Sequence, residues 1–229
     1  MNDQAFAERR QKGREMAGKL QGACEEAGKP LDWFEGLYKG AEGDVAGVPW
    51  ADCAPHQGLA DWLVKTDISF SGKAIDVGCG LGDNATALQD AGFAVTAFDL
   101  SRTAIDWAIE RNRESAVKFR QADIFELPSE WIGAFDFVHE TYTIQALKGG
   151  LRAAAFAEIA SLVKPGGKLL AICRSRPDDN QVSGPPWPIS PKEMQNFEKA
   201  GLTVETFEEF DVTKDRVIPH FRVLYRAQE

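Results

Sequence analysis

The chain has 229 residues, 44% of them hydrophobic, enough for one α/β domain with extensions and a core that needs no disulfides. Its net charge of -9 argues against a general nucleic-acid binder, whose phosphate contacts require a basic surface. The four cysteines, Cys24, Cys53, Cys79 and Cys173, form no C-x-x-C pair and have no histidine at ligand spacing, so reduced thiols and no metal are expected.

Residues 3–28 read as a charged helix with Phe6, Met16 and Leu20 as its few apolar anchors, broken by Gly28 and Pro30. There is no apolar stretch of signal-peptide or membrane length, so a soluble, cytoplasmic protein is expected. Residues 31–50 are rich in glycine and aromatics and show little regular pattern. Trp33, Phe34, Tyr38 and Trp50 there either pack on the domain or form a lid over a ligand. Helical spacing returns at 56–64, with Leu59, Trp62 and Leu63 on one face.

Strand and helix then alternate. Strands are predicted at 74–77, 94–98, 117–120, 135–138 and 168–173. Helices are predicted at 84–91, closed by Gly92, at 101–113, capped by Ser101 with Ile105, Trp107 and Ile109 buried, and at 151–163, ended by Pro165, Gly166 and Gly167. Residues 174–191, rich in proline, read as an ordered loop, Ser190 and Pro191 open a helix to Ala200, and 204–212 and 221–227 suit an antiparallel edge pair. The fold class is α/β: a Rossmann-like, doubly wound, mostly parallel seven-stranded sheet with an antiparallel edge pair and an N-terminal helical and aromatic lid. A single domain is expected, with 1–65 as lid helices and 66–229 as core.

The stretch KAIDVGCGLGDNA, residues 73–85, joins a strand to a helix through Gly78, Gly80 and Gly82. Glycine serves there because the turn requires angles a Cβ resists and because the backbone must approach a ligand at a helix N-terminus. A nicotinamide cofactor calls for G-x-G-x-x-G and an acid about 20 residues on, a place Asp99 would fill. The spacing here is G-x-G-x-G, however, and Asp76 at the strand tip would repel a pyrophosphate. S-adenosylmethionine carries a sulfonium and an amine and no phosphate, which suits the acid.

In a parallel sheet the ligand lies beyond the carboxyl ends of the strands. Those tips offer Asp76 with Gly78, Cys79, Gly80 and Gly82; Asp99, for the ribose hydroxyls, with Leu100; Asp123 and Ile124, for adenine; His139, Glu140 and Tyr142; and Arg174 and Arg176. The D-x-G-C-G-x-G segment, Asp99, Asp123 and the Lys164-Pro165-Gly166-Gly167 turn together resemble the class I S-adenosylmethionine-dependent methyltransferases over residues 56–227. Trp33, Tyr38, Gly40 and Pro49-Trp50, then Tyr142-Thr143, Ala146-Leu147 and Arg152, then Gly184-Pro185-Pro186, resemble the thiopurine, thiol and halide methyltransferase group. The segment from Tyr38 to Trp50 is longer than that group's usual pattern.

The resemblance implies S-adenosyl-L-methionine as cofactor, Trp33, Trp50 and His139 beside it, and a small-molecule acceptor. The acceptor is a thiol or related soft nucleophile, or alternatively the oxygen of a carboxylate or phosphonate. Glu140, Tyr142 and Arg174 are the catalytic candidates and His220 is a further possible base; the alternative for Arg174 and Arg176 is that both simply offset Asp178 and Asp179 at the surface. No nucleic-acid or membrane partner is expected, and the state is monomer or homodimer. A non-catalytic S-adenosylmethionine sensor and a nicotinamide oxidoreductase remain as other readings.

Overall fold

The computed structural model describes residues 3–66, 71–180, 182, 184–213 and 216–229. Three helices precede the core: α1 (Asp3–Glu26), α2 (Asp32–Gly40) and α3 (Gln57–Lys65). The core runs β1 (Lys73–Val77), α4 (Asp83–Asp90), β2 (Ala94–Asp99), α5 (Arg102–Arg111), β3 (Lys118–Gln121), β4 (Phe135–Thr141), α6 (Gly149–Ser161) and β5 (Val163–Arg174). It closes with α7 (Pro191–Met194), α8 (Asn196–Lys199), β6 (Leu202–Thr213) and β7 (Val217–Ala227).

The seven strands form one sheet in the order β3-β2-β1-β4-β5-β7-β6. The first five are parallel, and β7 pairs antiparallel with both β5 and β6. Inner strands are apolar on both faces because helices cover both. Ile75, Val77, Leu169 and Ala171 pack with Phe156 and Ile159 of α6 and Phe197 of α8. Their neighbours Ala74, Leu170 and Ile172 pack with Leu59 of α3, Leu88 of α4 and Ile105 of α5. The strand order reverses between β1 and β4, which opens a crevice at their carboxyl ends.

Four local readings are corrected. Residues 31–50 are not irregular: α2 occupies Asp32–Gly40, and a short 3₁₀ turn follows at Val45–Gly47. The pairs Trp33/Leu37 and Phe34/Tyr38 lie at i,i+4, and Trp33, Leu37 and Tyr38 are buried, while the interspersed glycines blur that period. Ile109 is exposed on α5. Helix α6 stops at Ser161, before Pro165; Val163 already pairs with Phe135, and the Pro165-Gly166-Gly167 run loops out before Lys168 meets Phe137. The single helix expected after Ser190 is two short ones, the first opened by a capping box between Ser190 and Glu193. In the proline-rich loop, positions 181 and 183 lie outside the described residues.

Candidate active site

The glycine loop crosses the crevice between β1 and β4. Gly78 has φ +62° and Gly82 φ +86°. A Cβ at Gly78 would come within 2.4 Å of Thr143 Oγ1, and one at Gly82 within 2.7 Å of the Phe119 ring, so both steric space and backbone angle select glycine. The loop is tied to β2 by the Cys79 amide, which donates to the Phe98 carbonyl at 2.8 Å, and by the Gly80 amide, which donates to Asp99 Oδ2 at 3.0 Å. Asp99 Oδ1 accepts from the Ser101 amide at 2.8 Å. Asp99 therefore braces the loop as well as presenting a carboxylate. Burial raises its pKa to about 6, against the pull of the Ser101 and Gly80 amides and with the help of the Asp76 and Glu35 charges.

Asp76 and Glu140 end adjacent strands, with Asp76 opposite His139 and Val77 opposite Glu140. Both are buried. Asp76 Oδ1 meets His139 Nδ1 at 2.7 Å, and His139 Nε2 meets Thr141 Oγ1 at 2.9 Å. His139 is thus wholly enclosed and orients Asp76 from behind rather than facing open space. Glu140 Oε1 accepts from the Thr143 amide at 2.6 Å and the Ile144 amide at 3.1 Å. Burial pushes its pKa up to about 8, less what the two amides return, and the Asp76 charge adds to the rise. Among the described residues, Asp76 Oδ2 and Glu140 Oε2 are buried with no hydrogen-bond partner. Two orphaned carboxylate oxygens beside a glycine loop are a poor home for a phosphate and a fitting one for a cation. These acceptors match a ligand bearing an ammonium and a sulfonium.

Helix α2 covers this loop. Glu35 accepts from Ser101 Oγ at 2.6 Å and from the Thr103 amide at 3.1 Å and hydroxyl at 2.9 Å, which docks α2 on the start of α5. Burial alone would raise the Glu35 carboxyl, but the hydrogen bonds from Ser101, Thr103 and Lys39 outweigh it and hold the pKa at about 2. The buried Tyr38 hydroxyl accepts from Trp50 Nε1 at 2.9 Å and lies so near the loop that a Cβ on Gly80 would stand 3.1 Å from it. Trp33 is buried against Phe34 (4.0 Å, stacked) and Trp50 (5.8 Å, edge-on). It also walls a cavity of about 770 Å³ between α1, α2 and the segment after β4, with Leu31, Leu147, Gly150 and Trp187. Past the tips of β2 and β3 Ile124 is buried, Asp123 Oδ1 accepts from the Phe125 amide at 2.8 Å, and the Leu100 carbonyl accepts from Gln121 Nε2 at 3.2 Å.

The third group lies past the tips of β4, β5 and β7. Tyr142 Oη is 2.9 Å from His56 Nε2 and 2.7 Å from His220 Nε2. The Arg174 guanidinium sits over the Tyr142 ring at 5.6 Å, and among the described residues its buried Nε has no partner. Arg176, by contrast, is consumed by the Pro188, Pro177 and Asp178 carbonyls and by Glu193. Arg152 likewise serves structure, holding the Leu147 and Trp187 carbonyls and Glu193. Of the three arginines singled out by sequence, Arg174 alone keeps an unpaired buried donor. His56 was not a sequence candidate. It lies 86 positions from Tyr142, and no local pattern announces the pairing.

Comparison with known proteins agrees with this geometry. A methyltransferase domain family matches residues 74–167. The chain is 28% identical over 158 residues to a protein named probable thiol methyltransferase 2 from Arabidopsis thaliana, covering 66% of this chain and 67% of the relative. It is 34% identical over 109 residues to a ubiquinone biosynthesis O-methyltransferase from Bordetella bronchiseptica, covering 46% of this chain but only 44% of that relative. Its fold superposes with a TM-score of 0.58 on magnesium protoporphyrin IX methyltransferase from Synechocystis, crystallised with bound S-adenosylmethionine, at 18% identity over 74% of this chain and 76% of that one. The glycine loop with its orphaned acids, the sheet order and these matches agree on an S-adenosylmethionine-dependent methyltransferase, with the methyltransferase domain matched over residues 74–167.

Proposed function

We propose that the chain transfers the methyl group of S-adenosylmethionine to a small-molecule acceptor, a thiol or related soft nucleophile. The observation that carries this is Arg174: a guanidinium beside Tyr142 at the end of β5 with a buried, unpaired Nε, in a chain whose net charge is -9. A buried, unpaired donor in a chain of net negative charge would hold a small anion such as a forming thiolate. Helix α2 docked over the glycine loop favours a small acceptor over a polymer groove, and the overall charge speaks against nucleic acid. The longest alignment among the relatives described above is to the protein named as a thiol methyltransferase. An oxygen acceptor is the second reading, favoured by the likeness to the ubiquinone biosynthesis O-methyltransferase.

In this reading Asp76, Glu140 and the closely approaching backbone of the glycine loop hold the cofactor's charged end, Asp99 its ribose, and Ile124 with Asp123 its base. The cofactor supplies the activated methyl group. The chain supplies alignment, exclusion of water beneath α2 and an anion clamp at Arg174. Turnover with a panel of thiols, carboxylates and phosphonates, in wild type and Arg174→Ala, tests it. Thiols should be methylated and the arginine variant should lose affinity for the acceptor. Turnover of carboxylates or phosphonates alone would overturn the thiol assignment, and binding without any turnover would favour a sensor.

A further inference from the structure

The contacts of the His56, Tyr142 and His220 cluster fix where its protons are. The Gly58 amide donates to His56 Nδ1 at 3.0 Å, so that nitrogen is the acceptor and Nε2 carries the hydrogen in the neutral ring. His220 Nδ1 lies 2.8 Å from the Ile218 carbonyl, which can only accept, so Nδ1 carries the hydrogen and Nε2 is bare. The Tyr142 hydroxyl between them therefore has one arrangement: it accepts from His56 Nε2 and donates to His220 Nε2. Both tautomers follow from backbone partners, and both orient the chain of hydrogen bonds in one direction.

Three further features fit this direction. His220 is fully buried while Tyr142 and His56 are half-buried, so the cluster is approached from the Tyr142 and His56 side. Tyr142 holds φ +74° at the end of β4, a left-handed conformation costly for an aromatic residue, in which its ring bridges the two imidazoles. Burial pushes its pKa up to about 12, only partly countered by Arg174, so the phenol passes a proton on rather than storing a negative charge. Among the described residues, the charged and titratable groups facing it include His56, His220, Arg174, which acts by charge and by a hydrogen bond, Cys173 of β5 and Asp52 from the segment before α3. Arg222 of β7 is bound to Glu208 and the Gly58 carbonyl.

We propose that His56, Tyr142 and His220 form a one-way proton relay serving the acceptor, and hence that the acceptor is a protic nucleophile, a thiol or hydroxyl bearing its own proton, and not a halide or other preformed anion. The proposal rests on the methyltransferase reading above. As the acceptor's electron pair forms its bond to the methyl carbon, its proton goes to Tyr142 Oη. The phenolic proton goes to His220 Nε2, and the pair of the breaking methyl–sulfur bond stays on sulfur. The positive charge lost at sulfur reappears on the His220 imidazolium. His56 is the positioning residue; it keeps the hydroxyl turned toward His220.

The three histidines of the chain make this measurable. Nitrogen NMR of the ¹⁵N-histidine-labelled full chain at neutral pH, assigned with His56→Gln and His220→Gln, should show the Nδ1–H tautomer at His220 and the Nε2–H tautomer at His56. Either tautomer reversed overturns the relay, whatever the activity. In kinetics, Tyr142→Phe and His220→Gln should lower kcat about 100-fold for thiols whose pKa lies above the assay pH, with the loss shrinking for thiols already ionised. His56→Gln, which keeps a donor, should retain most of kcat, and His56→Leu should not. Calorimetry with S-adenosylhomocysteine should give wild-type affinity in every variant. A loss independent of thiol pKa, or turnover of iodide comparable to that of thiols, overturns the proposal. If wild type binds S-adenosylhomocysteine but methylates no thiol or hydroxyl, the functional reading falls, while the tautomers still decide the relay.

Discussion

Replacing Glu140 by glutamine should change how stability depends on pH. The carboxyl is buried, and its pKa stands at about 8 against an ordinary 4.5. Between those values the unfolded chain has lost a proton that the folded chain keeps, so stability falls as pH rises through the window. The difference amounts to about 5 kcal/mol at pH 8 and above, and to about 3 kcal/mol at pH 7. Glutamine is isosteric and can still accept from the Thr143 and Ile144 amides, but its new N–H₂ replaces the orphaned Oε2 and costs about 1–3 kcal/mol unpaired. The ligand-free variant should therefore melt roughly 5–10 °C higher than wild type at pH 8 and slightly lower at pH 5. A cationic ligand beside Glu140 favours the ionised form, so S-adenosylmethionine should release up to one proton on binding near pH 7. Calorimetry in two buffers of different ionisation enthalpy should detect that proton in wild type and find it missing in the variant. Thermal melts with the same pH slope in both proteins would refute the assignment of a neutral, buried Glu140. Asp99, raised to about 6, leaves a smaller slope of the same sign in the variant.

Asp99→Ala should weaken S-adenosylhomocysteine by about 1.5–3 kcal/mol, since it removes a charge-assisted acceptor and the brace on the Gly80 amide; unchanged affinity by calorimetry would take Asp99 out of the site. Gly78→Ala should abolish cofactor binding while the sheet still folds, because its Cβ meets Thr143 Oγ1; wild-type affinity would show that the loop can shift. Glu35→Ala should loosen α2, with limited proteolysis cutting residues 31–50 faster than in wild type and S-adenosylhomocysteine restoring less protection; equal rates would mean that α2 is held by its aromatic packing alone. Because the Glu35 pKa is depressed to about 2, its contribution is full above pH 4.5 and fades as pH falls through that window, so Glu35→Ala and wild type should converge in stability near pH 2.

The parallel core was readable where β1 and β2 are short apolar runs that lead into Asp76 and Asp99, and where α5 opens on Ser101 and α4 closes before Gly92. Helix α2 escaped because Gly36 and Gly40 interrupt a pattern that four aromatic and aliphatic side chains nevertheless keep at i,i+4. The cofactor side was legible for the same reason as the core: Asp76, the glycines and Asp99 sit at strand tips whose order follows from chain order. The acceptor side was only half legible. Tyr142 and Arg174 also lie at strand ends, but the partners of Tyr142 come from the N-cap of α3 and from the antiparallel strand β7, 86 and 78 positions away. The divergent roles of Arg174 and Arg176 were also hidden. They depend on which carbonyls the 177–188 loop turns toward each guanidinium, and no periodicity encodes that.

The two halves of the candidate site carry opposite electrostatics, and in the proposed reading the reaction runs between them. Asp76, Asp99 and Glu140 converge on the glycine loop, and two of them are held above their ordinary pKa without a ligand. Enclosing three carboxyls is unfavourable for the empty fold, and a bound cation relieves it, so the same burial that lowers stability raises affinity for a positively charged ligand. On the other side stand Arg174, His56 and His220. Methyl transfer neutralises the sulfonium, and the product then loses part of its attraction to the acids while a relayed proton leaves a cation at His220. The charge thus crosses from the carboxylate side of the crevice toward β7. A cation created next to Arg174 is disfavoured unless the proton leaves again, and its loss resets His220 before the next acceptor enters. Proton loss and product release are then coupled by charge, and raising the pH within the stable range should speed the return of the free enzyme more than it speeds the transfer step.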